Sequence, residues 1–325
     1  MPVKKGITFI VLIFLFFVQI RAQDPPLTAI AEEGDGIFSI LRRQGIDPIK
    51  YYADFIALNR TSLKSGNGLK KGKVYMIPRV PDSFKAMGRR IQLPGGSETP
   101  LFGREVASFV RKDSSLNKVV YYLVSVRERE KDSGEAVSES DITLQLAKEL
   151  LLRGAKVYWL RDFHTNALKA NGEVNSGEDV LVRTEGMDTY IDAINKRYLK
   201  HHGTYQRLLV VQERISTAQP GLDVTLYHHQ TSTEGKKLAD NIQRMFRERN
   251  VKTKYFKSYS EVFADRGGLY LAKNILPKMT YIEITGRTGT GKRAFRNISN
   301  KKKLTDIITN GVLLDYSDLD FEDKD

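Results

Sequence analysis

The chain has no cysteine among its 325 residues. That absence excludes disulfides, thiolate catalysis, Cys-ligated zinc and a lipid anchor on an N-terminal Cys. Histidine is scarce as well: His164, His201, His202, His228 and His229 are the full set. After the first residues there is no further long hydrophobic run, and no internal repeat. What the chain does have is balance and charge. Hydrophobic residues make up 41% and charged residues 28%, a globular composition that excludes a wholly disordered chain. Lys and Arg outnumber Asp and Glu by 52 to 39, a formal net charge of +13. Such a surplus attracts polyanions, whether nucleic acid, anionic lipid or acidic envelope polymers.

The N-terminus narrows that choice. Lys4 and Lys5 precede an uncharged, mostly apolar run from Ile7 to Ile20, followed by Arg21-Ala22-Gln23-Asp24. A basic start, a short apolar core and a small residue at the end read as a secretory signal over residues 1–22. The run is short for a bilayer span, which needs about 20 residues. Ile20 and Arg21 make an untidy cleavage site, which leaves an uncleaved anchor as the alternative. Export to the periplasm or cell envelope argues against nucleic acid as the partner of the positive charge.

Three regions follow. Residues 23–80 alternate short apolar clusters with turn residues and close at Pro78 and Pro81. Residues 81–117 carry Pro94-Gly95-Gly96-Ser97, Pro100 and many isolated charges, the composition of a linker. Leu101-Phe102 and the segment from Val106 to Val110 are its apolar patches, suited to packing against something. From Lys118 onward strand and helix patterns alternate. β-rich runs occur at Val119–Val126, Lys156–Leu160, Arg207–Val211, Asp223–Tyr227 and Met279–Thr285. Helical spacing occurs at Asp141–Arg153, Val182–Leu199, Ser232–Arg249 and Leu304–Leu314. The fold class is therefore α/β: a small module, then a larger, mostly parallel sheet covered by helices on both faces. The acidic end, residues 315–325, reads as a frayed tail.

In the small module Gly34-Asp35-Gly36 turns into a short helix, Tyr52–Leu58 with Asn59 makes a second, and Leu69-Lys70-Lys71-Gly72 leads into Val74-Tyr75-Met76-Ile77-Pro78. This order resembles the LysM domain, with Gly36 where threonine is usual. The resemblance implies a β-α-α-β fold that binds glycans containing N-acetylglucosamine, with Gly34, Asp35 and Asn59 among its glycan-binding positions. A plain packing module without a ligand is the alternative.

The remainder resembles the zinc-dependent N-acetylmuramoyl-L-alanine amidases, on pieces that occur in order along the chain. They are Glu139-Ser140-Asp141-Ile142-Thr143-Leu144, Arg153-Gly154 with Val157 and Arg161-Asp162, Asp223 to His229, Glu234 to Ala239, Arg266 to Tyr270 and Tyr281 to Gly286. The resemblance implies hydrolysis of the lactyl-peptide amide of peptidoglycan. Zinc held by three protein ligands supplies a water nucleophile and receives the oxyanion; a nearby carboxylate moves the proton. Glu139 and His229 stand at ligand positions and Glu283 at the acid/base position. The family's first ligand, a histidine, is missing. Glu128 stands in its place between Arg127 and Arg129, and an added carboxylate lowers the Lewis acidity of the metal. His228 takes the ligand role if the strand register slips by one, and His164, after a strand, is a further substitute. His201 and His202 follow a basic helix end and read as solvated or as interacting with a helix C-terminus.

Two functions follow: a peptidoglycan amidase targeted by its LysM-like module, or a degenerate amidase-like protein that binds peptidoglycan or regulates an envelope partner. The Gly-x4-Gly-Lys of Gly286 to Lys292 satisfies a phosphate-loop pattern, but Arg293 stands where Ser or Thr would hold magnesium, so no nucleotide is expected.

Overall fold

The computed structural model describes residues 26–63, 68–127, 141–164, 177–216, 222–228, 232–249, 251, 253–256, 271–287 and 298–322. The signal-like segment therefore lies outside the described residues. Among those described, no helix is long and apolar enough to cross a membrane. The chain divides into two compact units, one ending at Val80 and the other continuing from Pro81.

The first unit has the order β-α-α-β. Strands β1 (Thr28–Ile30) and β2 (Val74–Met76) pair antiparallel, with Ala29 opposite Tyr75. Between them lie α1 (Ile37–Arg43) and α2 (Pro48–Leu58). Asp47 caps α2 by accepting from the Ile49 and Lys50 amides, and Pro48 takes the first helical position, where no amide donor is needed. Ile37, Ile40, Leu41, Phe55, Tyr75 and Ile77 form a small core of their own.

The second unit is built on an eight-stranded sheet in the order β4-β3-β6-β5-β7-β10-β8-β9. Its strands are β3 (Gly88–Gln92), β4 (Ser97–Pro100), β5 (Val120–Arg127), β6 (Lys156–His164), β7 (Gln206–Ser216), β8 (Leu222–His228), β9 (Thr253–Phe256) and β10 (Lys278–Arg287). β3, β6, β5, β7 and β10 run parallel; β4 and β8 are antiparallel to β3 and β10. The helices are α3 (Phe84–Met87), α4 (Ile142–Leu152), α5 (Gly177–Lys200), α6 (Thr233–Glu248) and α7 (Ile298–Glu322). Alternating residues of one strand serve opposite cores. Tyr121 and Leu123 pack with Leu146 of α4, Ile242 of α6 and Ile308 of α7 on the first face. Tyr122 and Val124 pack with Ile191 and Ile194 of α5 on the second.

Two boundaries differ from the sequence expectation. Residues 81–117 are not a linker: they fold as α3, β3, β4 and a 3-10 helix at Arg104–Ser108, and β3 extends the parallel sheet beside β6. The short β3 is held by its neighbours rather than by its own periodicity, with Ile91 buried and Arg90 stacked 5.1 Å over the Trp159 ring. Nor does the acidic segment fray at its start. α7 continues to Glu322, and Asp315 is fully buried beside Arg207.

Candidate functional site

In an open α/β sheet, ligands bind at the carboxyl ends of the parallel strands. β5 ends at Arg127, which is level with Glu213 in β7 and Ile284 in β10; β7 and β10 run three residues further. α4 starts there because Asp141 caps it, accepting from the Thr143 amide at 2.8 Å. Asp141 is 1% exposed and also accepts from Ser125 Oγ at 3.3 Å and Thr143 Oγ1 at 2.5 Å. Trp159 Nε1 donates to the same Thr143 hydroxyl at 2.9 Å, which ties the helix start to β6. Glu213 closes the group. Its carboxylate accepts from the Ile142 amide at 3.2 Å and from Lys301 Nζ of α7 at 2.9 Å. A helix N-terminus and an ammonium thus satisfy a half-buried carboxylate at the strand ends.

Glu283 is half-buried and accepts from Tyr227 Oη at 3.3 Å. It lies opposite Gln212 in β7 and Thr225 in β8. By strand alternation it shares the second face with Tyr227 and Tyr281, which pack into the α5 core. Glu213 and Asp141 lie on the first face, with α4 and α7. The proposed proton carrier and the polar group at the strand ends are therefore on opposite sides of the sheet.

The direction of β8 separates the histidines as well. Because β8 is antiparallel to β10, its last residue, His228, lies opposite Thr280, four positions before Ile284. At about 3.3 Å per residue that is about 13 Å back from the level of Arg127 and Ile284. His228 is 3% exposed and on the first face, so it reaches neither Glu283 nor the end of β7. His229, Glu128 and Glu139 lie outside the described residues. His164 ends β6 opposite Arg127. His201 is not simply solvated: at the end of α5 its Nε2 is 2.9 Å from Tyr158 Oη. Among the described residues, no three His, Asp or Glu side chains are grouped to hold a metal ion.

Of the glycan-binding candidates, Gly34 supplies a turn at φ 79°. Asp35 braces that turn, accepting from the Glu32 amide at 2.7 Å and from Ser39 Oγ at 2.9 Å. Asn59 points inward. It is 2% exposed, donates through Nδ2 to the Phe55 and Met76 carbonyls, and accepts from the Met76 amide at 2.8 Å. Its amide is committed to joining α2 to β2.

Glu213 and Lys301 escaped the sequence reading. Glu213 had a usable signal, a charge two residues after the buried run Leu208–Val211. Lys301 sits in a run of three lysines and had none.

No family model matches the chain, and no curated protein matches it. Among solved structures it is similar to the CwlD amidase from Clostridioides difficile in complex with the GerS lipoprotein, at 14% identity and a TM-score of 0.35, over 60% of this chain and 98% of that one. It is similar to the catalytic domain of CwlV, an N-acetylmuramoyl-L-alanine amidase from Bacillus (Paenibacillus) polymyxa var. colistinus, at 10% identity and a TM-score of 0.31, over 60% of this chain and 98% of that one. It is also similar to a metallo-carboxypeptidase from Burkholderia cenocepacia, at 12% identity and a TM-score of 0.34, over 62% of this chain and 58% of that one.

Proposed function

We propose that this chain is an exported peptidoglycan-binding protein whose second unit is an amidase-like domain without hydrolytic chemistry. Its first unit, in this reading, is a LysM module that holds glycan chains containing N-acetylglucosamine, and residues 1–22 direct export. The amidase-like character comes from the ordered sequence resemblance between Glu139 and Gly286. The loss of hydrolysis is supported chiefly by the sequence, in which Glu128, between Arg127 and Arg129, stands where the family's first histidine ligand belongs.

Zinc is the cofactor that the sequence resemblance implies. The described donors do not fit it. Glu213 is already neutralised by Lys301, and His228 lies opposite Thr280, toward the amino ends of the parallel strands. A site for a dication needs ligand oxygens and nitrogens converging within coordination distance, not a resident ammonium. What the chain's own residues supply is binding: a basic surface attracts the anionic wall polymer, and the LysM-like module gives glycan specificity.

The test is co-sedimentation of the full mature protein with purified sacculi, together with an assay for newly freed peptide amino groups, with and without micromolar zinc. Sedimentation without release, and no stoichiometric zinc in the purified protein, is the expected result. Zinc-dependent release that Glu283→Gln abolishes would establish the hydrolase instead. Failure to sediment would remove the peptidoglycan reading altogether.

A further inference from the structure

The second unit holds a cavity of about 640 Å³ that the peptidoglycan reading does not use. That volume lies within the usual 300–1,000 Å³ of small-molecule sites. It opens between the segment 101–109, the outer side of α4 and the start of α7, all on the first face of the sheet and therefore away from Glu283. Its apolar wall is Leu101, Phe102, Phe109 and Leu144. Phe102 and Phe109 meet edge to face at 5.2 Å, a rigid aromatic corner.

The polar lining is unevenly matched. Glu149 accepts from both Lys112 and Arg153 at 2.6 Å, and Asp306 accepts from Lys302 at 2.9 Å, so these charges are already paired. Glu105 adds one carboxylate at the cavity wall, and its field also reaches Lys85. Arg90 and Lys148 are matched differently. Lys148 Nζ rests over the Phe109 ring at 4.8 Å. The Arg90 guanidinium is stacked on Trp159, and its Nε is a buried donor without a hydrogen-bond partner among the described residues. A buried donor left unmade costs about 1–3 kcal/mol, so this guanidinium is held in place at a cost. Two cations thus stand over an apolar cavity, each held by an aromatic ring.

We infer that this cavity binds an apolar carboxylate, with the acid group between Arg90 and Lys148 and the hydrocarbon body against Phe102, Phe109 and Leu144. The shared chemistry is one carboxylate on a branched, aromatic or long aliphatic body. It occurs in the C-terminal residue of an apolar peptide and in a fatty acid.

Trp159 makes the inference measurable, since it is the only tryptophan in the chain and Arg90 lies on its ring. The intact protein is titrated with N-acetyl-L-phenylalanyl-L-leucine, with the C-terminal amide of that dipeptide, and with decanoate, following heat and tryptophan emission. At least one acid binds saturably with a change in Trp159 emission, and the amide binds about tenfold more weakly than the dipeptide acid if the latter is the ligand. Lys148→Glu, an exposed change that leaves the core intact, weakens the acid by about tenfold. Arg90→Gln removes the emission change. Binding of the dipeptide alone identifies a peptide end, binding of decanoate alone a fatty acid, and either result supports the site. No saturable heat with either acid, an amide as tight as its acid, or unaltered acid binding in Lys148→Glu overturns it. Because Glu283 and sacculus binding play no part in this titration, its failure would leave the peptidoglycan reading standing.

Discussion

The Arg207 guanidinium of β7 lies 3.5 Å from the Asp315 carboxylate of α7, and both side chains are buried. Tyr205 donates to the same carboxylate, and Arg207 also packs 4.1 Å over the Tyr205 ring. This knot fastens the closing helix to the start of a central strand. Removing one partner of a buried pair leaves the other charge uncompensated, which costs about 3–5 kcal/mol. Asp315→Ala should therefore lower unfolding free energy by about that amount in urea titration. Truncation after Leu314 should be at least as damaging, whereas truncation after Glu322 should be nearly neutral. Equal stability of the Leu314 truncation and the full chain would show that the knot contributes nothing.

The same residues show what could be read from the sequence and what could not. Periodicity located β5, β6, β7, β10 and the helices between them, because each carries enough apolar residues to announce its own burial. Asp315 gave no such sign: an acid in an acidic segment looks solvated until its distant partner Arg207 is known. Residues 88–100 failed for the same reason. Arg89 and Arg90 make β3 look like a charged loop, and it takes Trp159, Glu98 and the Lys85 carbonyl to make those positions tolerable inside a sheet. The site was less legible than the fold. Glu283 was located on its strand, but periodicity carries no information about chain direction, and the antiparallel sense of β8 decides where His228 ends up.

Gly311 in α7 packs closely against α6. A Cβ built there would meet the Ile242 backbone of α6, 2.6 Å from its Cα. Alanine in place of glycine ordinarily stabilises a helix interior by about 0.5–1 kcal/mol. Here the clash is with backbone rather than a side-chain tip, so the helices must separate. Gly311→Ala should lose about 1–3 kcal/mol, the usual cost of overpacking, measured as a fall in the urea midpoint at constant slope. A gain in stability would show that α6 and α7 pack less tightly.

Asn59 joins two elements of the small unit through one amide. Asn59→Ala removes its three side-chain hydrogen bonds to Phe55 and Met76 and leaves the half-buried Met76 backbone groups without this partner. Each such loss costs about 1–3 kcal/mol. The first unit should unfold at lower temperature and lose glycan binding with its fold, while Asn59→Asp keeps only the acceptor and falls between the two. Circular dichroism melting of the variants, read beside sacculus binding, separates this from a contact role. Lost binding at unchanged melting would make Asn59 a ligand contact.

His201 should give the second unit a pH-dependent stability. Burial first, then the neighbouring charges of Lys156 and Lys200, hold its imidazole below the ordinary 6.5, against the opposing pull of Glu98. Burial also raises the Tyr158 hydroxyl, which stays protonated and shares a hydrogen bond with the neutral ring 2.9 Å away. The unfolded chain takes up a proton near 6.5 that the folded chain refuses until lower pH. The stability due to neutral His201 is thus complete above 6.5 and is lost as pH falls towards the lower folded value. Relative to wild type, His201→Gln should melt with a flatter dependence from about pH 7.5 to about pH 5.5, because the other titrating groups are common to both proteins and cancel in the difference. Parallel melting curves across that range would show that His201 titrates as freely in the folded chain as in the unfolded one.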